Sequence, residues 1–189
     1  MQILILCGGI GSRLKPLIKD LPKGMAPVAN QPFMNLILER LVRNNLCEVI
    51  LCTGFGHEEY LREYGNKFET LKIKYSKDPG GEPLGTGGAV LNAINLLEDN
   101  FFVQYGDTLL EIDYLDAFDA HLKSKKAMTM TALHKDLTKE KPNIFISSDR
   151  SIVRYNKQPI FNKDEYQYID YGLLIFNKTC SRARQGHKA

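Results

Sequence analysis

Short apolar runs that end close to glycine recur along this chain, and they restrict its fold more than any other feature. The runs at 2–7 (QILILC) and 48–53 (EVILCT) are as long as typical strands and apolar almost throughout, which predicts strands buried on both faces. Three further strands are predicted, at 71–76, 101–105 and 128–133. Helices are predicted between them at 32–45, at 57–64, after residue 88 with Ala89, Ala93, Ile94 and Leu97 on one face, and at 113–125. Alternating strands and helices predict an α/β sheet.

The pattern changes after residue 133. Short strand-like pieces at 143–147, 151–155 and 168–176 follow one another with little helix between them. No repeat or low-complexity linker separates them from the first part. We therefore expect a single domain over 1–189, with an α/β core at 1–133, a β-rich part at 134–178 and a frayed tail at 179–189.

Composition excludes several classes of function. The 189 residues carry a formal net charge of +3, and the Lys and Arg residues are scattered, which argues against a nucleic-acid partner. The four cysteines (Cys7, Cys47, Cys52 and Cys180) form no CxxC pair and are predicted to be free buried thiols. A strand begins at residue 2, with no signal peptide and no apolar stretch near 18 residues, so we expect a cytoplasmic protein without a membrane partner.

The loop after the first run joins glycine with positive charge. Gly8, Gly9 and Gly11 allow main-chain N–H groups to approach phosphate oxygens, while Arg13 adds a forked cation and Lys23 a point charge. In a parallel sheet the loops beyond the carboxyl ends of the strands bind ligands, so the loops at 8–13, 77–88 and 106–110 should converge. A plain sharp turn would explain one or two glycines but not the two cations.

Two common glycine motifs are absent from this loop. A dinucleotide fingerprint starting at Gly9 would need glycine at position 14, where Leu14 stands, and no acidic residue ends the second strand at the ribose position. A Walker loop needs Gly-Lys followed by Ser or Thr, which the sequence GGEPLGTGG lacks. A dinucleotide-dependent oxidoreductase is therefore disfavoured.

Five segments, in order, resemble the sugar-1-phosphate nucleotidyltransferase family. They are GGIGSRLKPLIKDLPKGMAPV from residue 8, EPLGTGGA at 82–89, YGD at 105–107, RYNKQ at 154–158 and YIDYGLLIF at 168–176. The segments PKGMAP and PLGTGGA most resemble the corresponding segments of enzymes that guanylylate heptose or mannose 1-phosphate. The chain departs from the family pattern at three positions: it has Ile18 where the family has Thr, Asn156 where Glu is usual and Asp170 where Asn is common.

The resemblance implies a fold and a reaction. The fold would be a Rossmann-like mixed, mostly parallel sheet flanked by helices, with a smaller β-rich sugar-binding portion. The reaction would be NTP plus sugar 1-phosphate giving NDP-sugar and pyrophosphate, in surface-polysaccharide synthesis. A sugar phosphate is already anionic near pH 7, so no general base is required and cations must stabilise the transferring phosphate.

The resemblance also implies site residues. Arg13 would hold the β- and γ-phosphates and Lys23 would bridge the α-phosphate and the sugar phosphate, while Asp107 would carry Mg²⁺. The implied nucleotide-binding residues are Cys7, Gly8, Gly9, Gly11, Ser12, Arg13, Pro83, Leu84, Gly85 and Thr86. The implied sugar-phosphate-binding residues are Lys23, Gly106, Lys157, Asp170, Tyr171 and Gly172.

Alternatives remain open at this stage. Asp107 could cap a turn, and Lys157 could be a solvated surface charge. Asp170 could contact the sugar, pair with a lysine, or replace a further metal-binding Asp that family members supply later in the chain. A regulatory homologue that binds nucleotide or sugar phosphate without turnover is the rival function. The sequence leaves open the nucleobase, the sugar and whether the chain forms a homo-oligomer.

Overall fold

The computed structural model describes residues 1–9, 11, 14–18, 21–81, 83–156 and 166–179. Its strands are β1 (Gln2–Leu6), β2 (Pro27–Val28), β3 (Gln31–Pro32), β4 (Glu48–Thr53), β5 (Lys67–Phe68), β6 (Leu71–Lys77), β7 (Asn100–Tyr105), β8 (Met128–His134), β9 (Ile144–Ile146), β10 (Ile152–Tyr155) and β11 (Tyr168–Asn177). Its α-helices are α1 (Lys15–Ile18), α2 (Phe33–Arg43), α3 (His57–Tyr64), α4 (Gly85–Asn92) and α5 (Tyr114–Ser124). The fold is a mixed, mostly parallel sheet flanked by helices, as the sequence predicts.

The chain divides into two compact units. The first comprises Met1–Thr129 and the segment from Leu174 onward, and the second is Met130–Leu173. The second unit begins close to residue 133, where the sequence pattern changes, and the last strand enters the first unit at Leu174. The predicted bounds at 133 and 178 stay predictions. The predicted tail lies outside the described residues from position 180 onward.

The first unit is built on four parallel strands in the order β7, β1, β4, β6, with the short β5 antiparallel at the edge. In this register, Ile3 of β1 lies opposite Val49 of β4 on one side and Phe102 of β7 on the other. Consecutive residues of β1, β4 and β7 are almost completely buried, as expected for strands covered on both faces. Removing these side chains from water contributes about 1.5–3 kcal/mol each.

The second unit contains most of β8, all of β9 and β10, and the first part of β11, and the pairings of β9 with β10 and β11 are antiparallel. The strand β9 pairs with β10 through Tyr155 and Ile144, and with β11 through Tyr168 and Ile144. The β-rich character predicted for this part of the chain is confirmed.

The predicted helices are confirmed, with different ends in every case but α3. The helix α2 buries Met34, Ile37, Leu38 and Leu41, which recur at helical spacing. The helix α5 begins after Asp113, whose side chain accepts a hydrogen bond from the Asp116 N–H at 3.0 Å, as an N-cap does. The predicted helix after residue 88 was placed too far along the chain. It ends at Asn92, and Ile94 lies in a separate 3₁₀ turn.

Within the described residues, no helix is long and apolar enough to cross a membrane.

Candidate functional site at the carboxyl edge of the sheet

Loops from four neighbouring strands meet at the carboxyl edge of the first unit. A Cβ atom added to Gly8, after β1, would lie 2.9 Å from the main-chain N of Gly54, after β4, and 3.3 Å from Oδ2 of Asp78, after β6. The Gly106 N–H, after β7, donates to the Leu6 carbonyl at 3.0 Å. The described parts of the loops predicted to converge therefore do so, and Gly8 is required by the close approach of two backbones.

Other glycines of these loops face open space. A Cβ atom at Gly9, Gly85 or Gly87 would have no neighbour within 4 Å. Gly85 has φ +68 and begins α4, and the preceding Leu84 offers no side-chain cap to the first turn. Main-chain N–H groups at a helix start that lack a cap favour anions. These positions are suited to a ligand that approaches the backbone directly.

Lys23 and Asp107 form an ion pair across this edge. The Lys23 Nζ donates to Oδ2 of Asp107 at 2.6 Å, although the two residues are 84 positions apart in the sequence. Their side chains are 40% and 44% exposed, so both groups remain accessible to a ligand. The Lys23 side chain also packs over Gly11, where an added Cβ would lie 3.2 Å from the Lys23 Cβ. The predicted cation, the predicted metal carboxylate and the first glycine loop therefore lie together.

Cys7 lies beneath the loop as a buried thiol. Its Sγ donates to the Cys52 carbonyl at 3.2 Å, and burial raises the pKa of the thiol far above its ordinary value. Burial likewise raises the pKa of the Cys52 thiol to about 12. Both thiols are free and stay protonated, so neither is suited to act as a nucleophile. The Cys7 N–H donates to the Cys52 carbonyl at 3.0 Å, and its proposed contact with nucleotide stays a prediction. Cys47 is exposed, which corrects the prediction that it is buried.

Asp78 is a site residue that the sequence analysis missed. Its Oδ2 accepts a hydrogen bond from the Leu84 N–H at 3.3 Å and thereby closes the loop between β6 and α4. Its Oδ1 is buried and has no hydrogen-bond partner among the described residues. The available signal was an acidic residue at the carboxyl end of a predicted strand, where ligands bind in parallel sheets.

Three predicted residues of the second unit lie together on β11. Asp170 accepts a hydrogen bond from the Tyr155 hydroxyl at 3.0 Å and donates its N–H to the Asn143 side chain at 3.2 Å. The Gly172 N–H donates to Oδ1 of Asp170 at 2.9 Å, and Gly172 has φ +94, a conformation that favours glycine. Tyr171 lies between them on the strand. These contacts hold the Asp170 carboxylate in place.

The predicted residues Ser12, Arg13 and Lys157 lie outside the described residues, and their roles stay predictions. Among the residues that the structure describes, no group of three or more His, Cys, Asp or Glu side chains could hold a metal ion.

Comparison with known proteins supports the sequence resemblance. A family model described as "Nucleotidyl transferase" matches residues 2–186. The chain is 34% identical over 179 residues to a D-glycero-alpha-D-manno-heptose 1-phosphate guanylyltransferase from Aneurinibacillus thermoaerophilus, covering 94% of this chain and 75% of the relative.

Two solved structures share the fold. The structure of HddC from Yersinia pseudotuberculosis complexed with GMP-PN has a TM-score of 0.73 and 26% identity, with 94% of this chain and 77% of that chain covered. A putative glucose-1-phosphate thymidylyltransferase from Bacillus anthracis has a TM-score of 0.83 over 100% of this chain and 76% of that chain. At 19% identity, that second likeness concerns the fold alone.

Proposed function

Because the chain belongs to the nucleotidyl transferase family, we propose that it transfers GMP from GTP to heptose or mannose 1-phosphate. The products are a GDP-sugar and pyrophosphate. The observation that carries the proposal is the Lys23–Asp107 pair, 2.6 Å long, at a sheet edge that also presents open glycines. Guanine and heptose are supported by the name of the relative that is 34% identical.

The reaction requires charge stabilisation rather than proton transfer. A phosphate oxygen of the sugar phosphate attacks the α-phosphorus of GTP, a new P–O bond forms, and the bond between the α-phosphorus and the bridging oxygen breaks. The pyrophosphate leaves with that electron pair. Because the attacking group is already an anion near pH 7, the protein's task is to align two polyanions and to stabilise the charge between them.

Among the residues that the structure describes, Lys23 is a cation suited to this task. Its ammonium group leaves the Asp107 carboxylate and bridges the α-phosphate and the attacking sugar phosphate. The main-chain N–H groups around Gly9 and at the start of α4 bind phosphate oxygens, and Arg13 grips the β- and γ-phosphates. Lys157, Asp170, Tyr171 and Gly172 are the proposed ligands of the sugar phosphate.

Asp107 is the proposed ligand of Mg²⁺. A single exposed carboxylate fits this ion, because Mg²⁺ is commonly held by one or two carboxylates together with substrate phosphates and waters. When bound, Mg²⁺ supplies Lewis-acid stabilisation of phosphate charge. Asp107 itself is positioned by its place at the end of β7, directly after the buried Gly106.

A cytoplasmic location and a role in surface-polysaccharide synthesis belong to the same proposal. They follow from the proposed GTP substrate and from the heptose 1-phosphate in the name of the relative that is 34% identical.

The test is pyrophosphate release from each of the four NTPs with Mg²⁺ and a panel of sugar 1-phosphates. We expect release from GTP with D-glycero-α-D-manno-heptose 1-phosphate or mannose 1-phosphate. Calorimetric binding of nucleotide without release by any pair would instead favour the regulatory homologue. Release from another NTP would overturn the assignment of guanine while leaving nucleotidyl transfer intact.

A further inference from the structure

Lys23 lies on a three-residue turn that is too short to fix its own position above the sheet. The residues Lys23–Met25 form a 3₁₀ turn, in which the Met25 N–H donates to the Pro22 carbonyl at 2.8 Å and the Ala26 N–H donates to the Lys23 carbonyl at 3.1 Å. These local bonds fix the shape of the turn but not its height above the sheet. That height must come from whatever lies beneath the turn.

The two neighbours of Lys23 in the chain both rest on α3 and its cap. A Cβ atom at Gly24 would lie 2.4 Å from the Tyr60 hydroxyl oxygen. A Cβ atom at Gly56, the N-cap of α3, would lie 2.5 Å from Cγ of Pro22. Both contacts are therefore closer than any side chain would allow, and the lysine turn is seated directly on α3.

Tyr60 is a rigid support. Its side chain is completely buried, its ring stacks on Tyr64 with centroids 6.5 Å apart, and its carbonyl accepts a hydrogen bond from the Tyr75 hydroxyl at 3.2 Å. Burial also raises the pKa of the Tyr60 hydroxyl, so the group stays neutral.

The hydroxyl of Tyr60 is a buried polar group beneath a site residue. No described residue makes a hydrogen bond of ordinary geometry to it, and its electrostatic neighbours are the Cys7 thiol and the Gly24 main chain. The oxygen extends the ring up to Gly24. A buried polar group without a well-formed hydrogen bond is a candidate for a functional role.

We infer that the Tyr60 hydroxyl is a spacer that sets the height of Gly24, and through it the position of the Lys23 ammonium group. The inference rests on the proposed function, since it concerns where Lys23 meets the transferring phosphate. Tyr60 is thus a positioning residue that touches no substrate. Because transition-state alignment is sensitive to displacements below 1 Å, removing this one oxygen should lower kcat by about tenfold with little change in the KM for GTP.

The experiment uses Tyr60→Phe, Gly24→Ala and the double variant in the full chain. Tyr60→Phe should change Tm by only a few degrees while lowering kcat. Gly24→Ala should lower both Tm and kcat, since the added methyl group meets the hydroxyl. In the double variant the methyl group occupies the space that the hydroxyl leaves, so kcat should recover above that of either single variant. The Met34 methyl group, 3.1 Å from the added Cβ, can shift to accommodate it.

Tyr64→Phe is the matched control, on the same helix. The Tyr64 hydroxyl donates to the Asn35 side chain at 2.7 Å, so its removal should lower Tm and leave kcat unchanged. An unchanged kcat in Tyr60→Phe, or a double variant whose kcat loss is the product of the two single losses, would overturn the inference.

A second readout does not require turnover. The amide ¹H–¹⁵N shift of Lys23 should move in Tyr60→Phe and return towards the wild-type position in the double variant, whether or not the chain releases pyrophosphate. If the wild type shows no release but this shift pattern holds, the proposed function fails and the spacer stands. If release occurs but the Lys23 shift is the same in all variants, the spacer fails and the proposed function stands.

Discussion

Replacing Lys23 with methionine separates the chemistry of the ion pair from its contribution to folding. Methionine keeps much of the length of the side chain and removes the charge. The Lys23–Asp107 pair is 40% and 44% exposed, so its contribution to the free energy of unfolding is at most about 1 kcal/mol after solvent screening. Its proposed contribution to the transition state is larger, about 2.7–4 kcal/mol, as for the loss of one preorganised donor.

These magnitudes predict a clear pattern. Lys23→Met should lower kcat for pyrophosphate release by roughly 10²–10³. The Tm should change by only a few degrees, as expected for a change of about 1 kcal/mol in a chain of this size. The assays are steady-state pyrophosphate release under saturating GTP and sugar 1-phosphate, and scanning calorimetry of the same preparations.

Lys74→Met is the matched control. Lys74 forms a similar ion pair, with Glu48 at 2.9 Å, and is 47% exposed, but Glu48 lies at the amino end of β4. The two variants should therefore have similar Tm values and very different kcat values. A kcat for Lys23→Met that equals that of Lys74→Met would refute the assignment of Lys23 to the transition state.

Three further predictions concern the loops, the metal and a buried histidine. Gly9→Ala should keep its Tm, because open space surrounds the added methyl group, but it should raise the KM for GTP, and a KM equal to that of the wild type would contradict the phosphate role. Gly8→Ala should lower the free energy of unfolding by about 1–3 kcal/mol, because its methyl group would lie 2.9 Å from the Gly54 main chain. Asp107→Asn should raise the Mg²⁺ concentration needed for half-maximal release, and an unchanged requirement would remove it from the metal site. Burial lowers the pKa of His121 below 6.5, so the unfolded chain binds a proton that the folded chain does not, and the free energy of unfolding should fall as the pH drops below about 6.5. The Tm of His121→Gln should depend less steeply on pH, and a dependence identical to that of the wild type would contradict this role of His121.

The sequence predicted the parts of the fold that rest on hydrophobic pattern. The strands β1, β4 and β7 are apolar runs of ordinary strand length, and each was found within one residue of its expected ends. The helix α4 was harder, because its residues are mostly small or apolar and show little amphipathic period, so the end at Asn92 was not evident. The hairpin of β2 and β3 turns at Ala29 and Asn30 with positive φ at both, without a glycine to signal it.

The sequence predicted which residues of the candidate site lie together where a motif marks them. The glycine loop, Lys23 and Asp107 belong to such motifs, and the structure brings them to one edge of the sheet. Burial of a carboxylate at Asp78 and the contact of Gly24 with Tyr60 depend on packing between elements far apart in the sequence. Such contacts leave no periodic signal, so only the folded chain reveals them.

The most direct test of the account is amide hydrogen exchange with and without Mg·GTP, because the central claim is that main-chain N–H groups at the sheet edge bind phosphate. The account predicts slower exchange at 8–9 and 85–88 when nucleotide is bound, with no change at 152–155 in the second unit. Nucleotide binding that leaves exchange at 8–9 and 85–88 unchanged would contradict it.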